Sequence, residues 1–151
     1  MQGDVARWRY SEVRLAELAA RANAAEQGAP PPEAAITGRD GSAIVAGRIL
    51  TLKVGRRDVE VPVTIYAPVN KGDHWRCDFT IGWPGAARHG QGNGIDSAQA
   101  LLMALKFVGI ELYTSKAHKA GKLKCPGQRA GYGFPLAWSV RELAEGEDRY
   151  L

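Results

Sequence analysis

The sequence predicts an α+β fold: an antiparallel meander of three to four strands with one long helix packed on one face, plus an N-terminal helix. Three observations predict it. Residues 48–82 hold three successive runs in which apolar and polar side chains alternate with a period of two, joined by short turns. A single long apolar segment with helical spacing follows at 96–113. Before the strands stands an Ala-rich helical segment closed by a run of three prolines.

The first element spans Tyr10 to Gln27, with Ser11 placed as N-cap, Glu12 in the first turn, and Gly28 with Pro30–Pro32 as the stop. Its apolar stripe of Leu15, Leu18, Ala19, Ala22 and Ala25 is thin, so the helix docks weakly or packs against something outside the domain. Residues 29–42 read as a linker, stiff at the proline end and loose at the glycine end. This divides the chain into an N-terminal helix and linker, 1–42, and a compact domain, 43–151.

From Arg48 to Val54 the residues Leu50, Leu52 and Val54 share one face, and G-R-R-D at 55–58 supplies the turn. Val59 to Ala67 repeats the alternation, with Glu60, Pro62, Thr64 and Tyr66 outward. Pro62 cannot donate a ladder hydrogen bond, which implies a free edge there. His74 to Gly82 turns Trp75, Cys77, Phe79 and Ile81 to the apolar face and His74, Arg76, Asp78 and Thr80 to the other. The glycine-rich segment Gly90–Gly94 reads as a mobile turning loop.

The long helix begins at Asp96, an N-cap with Gln99 three residues on and Ile95 in the staple position. Ala98, Leu101, Leu102, Leu105, Val108 and Leu112 are expected on the sheet. The opposite side carries Gln99, Met103, Lys106 and Ile110 with Phe107 nearby, too apolar for an ordinary solvated face. The N-terminal helix, the tail from Gly131, or a second copy of the chain could shield it. In the last third Gly131 and Gly133 flank Tyr132, Leu136–Val140 could add a fourth strand, and Arg141–Glu145 a helical turn.

Composition bounds the function. The chain has 151 residues, 45% hydrophobic and 24% charged, as expected of one globular domain. Its twenty basic and sixteen acidic residues leave a net charge of +4, which permits nucleic-acid binding without requiring it. No secretory or membrane-spanning pattern is recognised, so the expected location is the cytoplasm, where Cys77 and Cys125 stay reduced. No cofactor or metal is expected. His74, Cys77, His118 and Cys125 suffice in number for zinc, yet residues 74 and 77 of one strand point to opposite faces. Neither Cys125 near His118 nor Ser97 sits in a nucleophile context. The Gly90–Gly94 segment lacks the lysine of a phosphate-binding loop, and Asp96 opposes an anion there. No catalytic residue is assigned, and the chain is not expected to be an enzyme.

Three stretches taken together, D-H-W-R-C-D-F-T-I at 73–81, G-I-D-S-A-Q-A-L-L-M-A-L-K-F-V-G-I-E-L at 94–112 and G-Y-G-F-P-L at 131–136, carry a resemblance. A W-x-C strand, a G-x-D-x-x-Q-A-L helix and a late G-F-P in this order resemble a family of small uncharacterised bacterial proteins, a domain of unknown function. The resemblance spans about residues 45–138. It implies a stand-alone α+β domain and brings no catalytic residues with it.

The expected function is non-catalytic protein binding, of the accessory or immunity-like kind, with a protein partner or with a second copy of the chain. The expected contact residues are Tyr66, Arg76 and Asp78 on the open sheet face and Met103, Phe107 and Ile110 on the helix. The alternative is nucleic-acid binding through the basic cluster Lys116, Lys119, Lys122, Lys124 and Arg129. A helix, three strands and a helix is also the order of a double-stranded RNA-binding domain, although the G-I-D-S-A-Q start of the second helix lacks that family's lysines.

Overall fold

A computed structural model describes residues 38–151. The expected helix at Tyr10–Gln27, and all of the expected linker before Gly38, lie outside the described residues.

Among the described residues six antiparallel strands form one sheet: β1 (Ile44–Val54), β2 (Arg57–Tyr66), β3 (Val69–Asn70), β4 (Trp75–Ile81), β5 (Arg88–Gly94) and β6 (Leu123–Lys124). The helix α1 (Ser97–Thr114) and the one-turn α2 (Lys116–Lys119) follow β5. Two 3-10 segments, Trp138–Leu143 and Gly146–Tyr150, close the chain. The β1–β2 hairpin turns on Gly55 at φ 62°, with Val54 opposite Arg57, the geometry in which a two-residue loop wants glycine first. β2 runs along all of β1 but meets β4 only from Val63 to Ile65, so the strand preceding Pro62 has an open side, as a residue without an N–H allows. β3 takes over as neighbour to the start of β4, β5 lines the other edge of β4, and β6 adds to β1.

Period-two alternation supplies the core. Leu50, Val61, Val63, Ile65, Cys77, Phe79 and Ile81 share the covered face, each at most 2% exposed. At about 1.5–3 kcal/mol for each fully buried large apolar side chain, this face is the principal source of folding free energy.

The helix seats Val108 and Leu112 of the expected stripe in the core, but its buried set is otherwise small: Ala100, Ala104, Gly109 and Tyr113 complete it. Leu101 and Leu105 are half-buried against the core, Leu102 is 44% exposed, and Ala98 faces out. The reason lies in β5. Gly90–Gly94 is a strand, not the mobile loop expected, and Gly90, Gly92 and Gly94 lie opposite Phe79, Cys77 and Trp75 on the covered face. A methyl group on Gly92 would come within 2.2 Å of the Ala104 nitrogen and 2.6 Å of the Ala100 oxygen; one on Gly94, within 2.5 Å of the Ala100 nitrogen. Helix backbone therefore rests directly on strand backbone, which demands glycine below and alanine above. The Leu side chains flank the contact.

Asp96 caps α1 as expected, accepting from the Gln99 N–H at 2.7 Å, while the Gln99 side chain reaches back to the Ile95 N–H at 2.8 Å. Ile95, however, is 83% exposed, so the staple is not made. Ser115 ends α1 in extended backbone and caps α2 through its side chain, which accepts from the His118 N–H. The fourth strand expected at Leu136–Val140 does not form. Phe134 and Leu136 pack into the core, and the tail crosses α1 where Gly109 leaves room for the Pro135 carbonyl.

Substituting Gly92→Ala is expected to cost at least about 3 kcal/mol, because the colliding atoms are backbone on both sides. Asn93→Ala, one residue along on the outer face, should stay within about 0.5 kcal/mol of the parent. Urea denaturation of both variants checks this.

Candidate functional site

The outward side chains of β4 were expected to form an open face. The structure closes much of it. Residues 38–42 lie over the sheet, and Tyr66 is 2% exposed with Gly38 against its ring. Arg76 sits between two carboxylates, Asp40 and Asp78, while Lys71 reaches Asp40 at 3.3 Å. Asp78 is 8% exposed. Its Oδ2 accepts from Arg76 Nη2 at 3.3 Å, while its Oδ1, 3.1 Å from Arg76 Nε, is buried and receives no aligned donor, so the attraction at that atom is Coulombic. Tyr66 and Asp78 are thus corrected from exposed contact residues to covered ones, and Arg76 is engaged within the chain. A cleft of about 210 Å³ remains beside them, lined by Arg39, Tyr66, Asp78, Thr80 and His89.

On the covered side Cys77 donates to the Tyr66 carbonyl at 3.2 Å. Burial, and then the Asp78 charge, push its thiol up to about 11. It is therefore a protonated core residue at neutral pH and not a nucleophile. His74 lies half-buried on the other face beside Asp73, whose carboxyl its hydrogen bond holds below the usual range. Among the described residues no group of three His, Cys, Asp or Glu side chains converges as metal ligands would.

A second cluster was not foreseen as such. Asp148, 2% exposed, accepts from the Tyr113 hydroxyl at 2.8 Å and from the N–H groups of Tyr132 and Gly133 at 2.6 and 2.8 Å. The Tyr132 hydroxyl meets His118 Nδ1 at 2.6 Å, and His118 Nε2 stands 3.8 Å from Glu145. Arg48 donates to the Tyr132 carbonyl at 2.5 Å with its guanidinium over the Phe134 ring. Gly131 and Gly133, at φ 85° and 72°, let the chain bend around Tyr132 and admit Asp148 and Arg48. Burial raises both tyrosine hydroxyls well above their ordinary value, so they stay protonated; Tyr113 donates to Asp148 and accepts from the Glu145 N–H at 3.0 Å. The Glu–His–Tyr order has the outline of a proton relay, but its hydroxyl ends in the core. The cluster fastens the tail to α1. The flanking glycines of Tyr132 were its visible trace in the sequence; the acceptor, Asp148, had none.

Of the expected helix residues, Phe107 is 37% exposed, whereas Met103 and Ile110 are half-buried and Ile110 packs on the core. Leu102, expected on the sheet, joins the outward side. Of the expected basic residues, Lys116 and Lys119 stand on α2, Lys122 precedes β6, Lys124 is in β6, and Arg129 is exposed in the following loop. Lys122 and Lys124 line a groove of about 380 Å³ together with Lys53 of β1, which the linear cluster did not include.

The fold defines an α+β domain with one helix laid on an antiparallel sheet. By the match of residues 46–136 to its family model, the chain belongs to DUF6968, a domain of unknown function. No curated protein and no solved structure matches it. Among the described residues no helix is long and apolar enough to cross a membrane.

Two outcomes are expected here. Asp148→Ala leaves the Tyr113 hydroxyl and two backbone N–H groups without their acceptor and should cost about 3 kcal/mol or more in urea denaturation. Cys77 has a folded pKa raised above its ordinary 9.0, so its contribution is fully present below pH 9 and lost as pH rises through about 11. Unfolding free energy measured against pH should fall across that interval, and less steeply in Cys77→Ala.

Proposed function

We propose that this chain is a non-catalytic protein-binding domain of the bacterial cytoplasm, of the accessory or immunity-like kind, and that it docks its partner on the outward side of α1. One observation carries the reading: α1 spends its small residues on the sheet and leaves Phe107 37% exposed, with Met103 four residues before it on the same face half-buried, while Leu102, about 140° round the helix from Phe107, is 44% exposed. A helix already seated on a core has no folding reason to keep large apolar side chains on its far side.

Phe107→Glu and Leu102→Glu are the informative changes, because both side chains reach solvent and the core does not need them. Each variant should fold with a melting temperature within a few degrees of the parent and lose at least about tenfold in association, as truncation of an interface anchor does. Sedimentation of the purified chain reads self-association, and capture of proteins from lysate reads a foreign partner. Association undiminished in both folded variants would refute the α1 surface.

A further inference from the structure

The sequence from 112 to 141 contains Lys116, Lys119, Lys122, Lys124, Arg129 and Arg141 and no acidic residue. The sheet brings a second set of cations to it. β6 pairs with β1 through Thr51–Lys124 and Leu52–Leu123, and the Lys53 N–H donates to the Lys122 carbonyl at 2.9 Å. Lys53 thereby faces Lys122 and Lys124 across the 380 Å³ groove, where Asp58, opposite Lys53 on β2, is the one acidic residue among the described lining residues, against three lysines, and the hairpin turn beyond it carries Arg56 and Arg57. All five basic side chains are exposed, against Asp58 and Glu60 as the acidic residues of the hairpin. Edge-strand lysines alone would serve to prevent strand addition. That role does not account for Lys53, which belongs to an inner strand, or for the turn arginines.

Three lysines from two strands and the preceding turn line the groove, with Lys116 and Lys119 just before it in the chain and Arg56 and Arg57 in the hairpin turn, which suits an anion that repeats along its length. Among the described residues no aromatic side chain lines the groove to stack on bases, on which single-strand binding relies. We propose that this groove binds the phosphodiester backbone of a nucleic-acid duplex, without sequence preference, through Lys53, Lys122 and Lys124. The site shares no residue with the outward stripe of α1 and stands or falls separately from it.

Fluorescence anisotropy with labelled DNA and RNA duplexes of one sequence, each longer than about 16 base pairs, tests the proposal. Three phosphate contacts give a slope of about −2.7 in log affinity against log salt, so binding should weaken about 40-fold between 50 and 200 mM salt. In Lys53→Gln/Lys122→Gln the same salt step should weaken binding only about 3- to 4-fold, with the circular dichroism of the parent retained. Phe107→Glu should leave duplex binding unchanged. Equal binding of the two duplexes assigns recognition to the shared backbone, and preference for RNA assigns it to A-form geometry; either supports the site. The proposal is overturned by no binding at 50 mM salt, by an unchanged salt slope in the double variant, or by polyaspartate competing as well as duplex, which would make the surface a site for acidic protein.

Discussion

The contact on which the rest of the structure depends is backbone against backbone: Gly92 and Gly94 of β5 beneath Ala100 and Ala104 of α1. Close packing has no tolerance at such a point, since any side chain on the strand would separate the two elements by the thickness of a methyl group. The approach fixes the rotation of the helix. Once Ala100 and Ala104 face the strand, Val108 and Leu112 follow at four-residue spacing into the core, and Leu102 and Phe107 are turned toward solvent. The outward apolar stripe is thus a consequence of how the helix is seated, and the large side chains of β4 fill the layer that the glycines of β5 leave thin.

The tail completes this arrangement. It crosses α1 at Gly109, a second place where a missing side chain lets backbone approach, and is tied down by Asp148, Tyr113, Tyr132 and His118. These groups look reactive in isolation. Packed together they satisfy one another, and burial keeps their hydroxyls protonated. Outside the packed layers lie the exposed apolar side chains of α1, the cations around β6 and the β1–β2 turn, and the cleft beside Asp78 and His89.

Much of the fold was legible in the sequence. The alternation in 48–82 placed Leu50, Val61, Val63, Ile65, Cys77, Phe79 and Ile81 inward, and Asp96 with Gln99 announced the helix start, because both patterns are local. The seating of α1 was legible in part: Val108 and Leu112 are buried and Leu101 and Leu105 pack on the core, but Ala100 and Ala104 were passed over for Leu102 because hydrophobicity favours Leu, whereas the strand beneath rewards the smaller residue. β5 was read as a loop for the same reason: its glycines were weighed for the turns they permit and not for the approach they allow. The sheet face around Tyr66, Arg76 and Asp78 seemed open because its cover, Gly38–Ser42, comes from a stretch that reads as linker and carries Asp40 to the Arg76 guanidinium. The basic groove was half visible, since Lys122 and Lys124 were named from sequence while Lys53 joins them only through the β1–β6 pairing.

The most direct measurement of the central claim is a set of nuclear Overhauser contacts between the α-protons of Gly92 and the helix. The account predicts strong contacts from Gly92 to the methyl groups of Ala100 and Ala104 and none to Leu102. Contacts from Gly92 to Leu102, with the alanine methyls facing water, would mean that α1 sits on its Leu stripe, and both the backbone approach and the outward apolar surface derived from it would be contradicted.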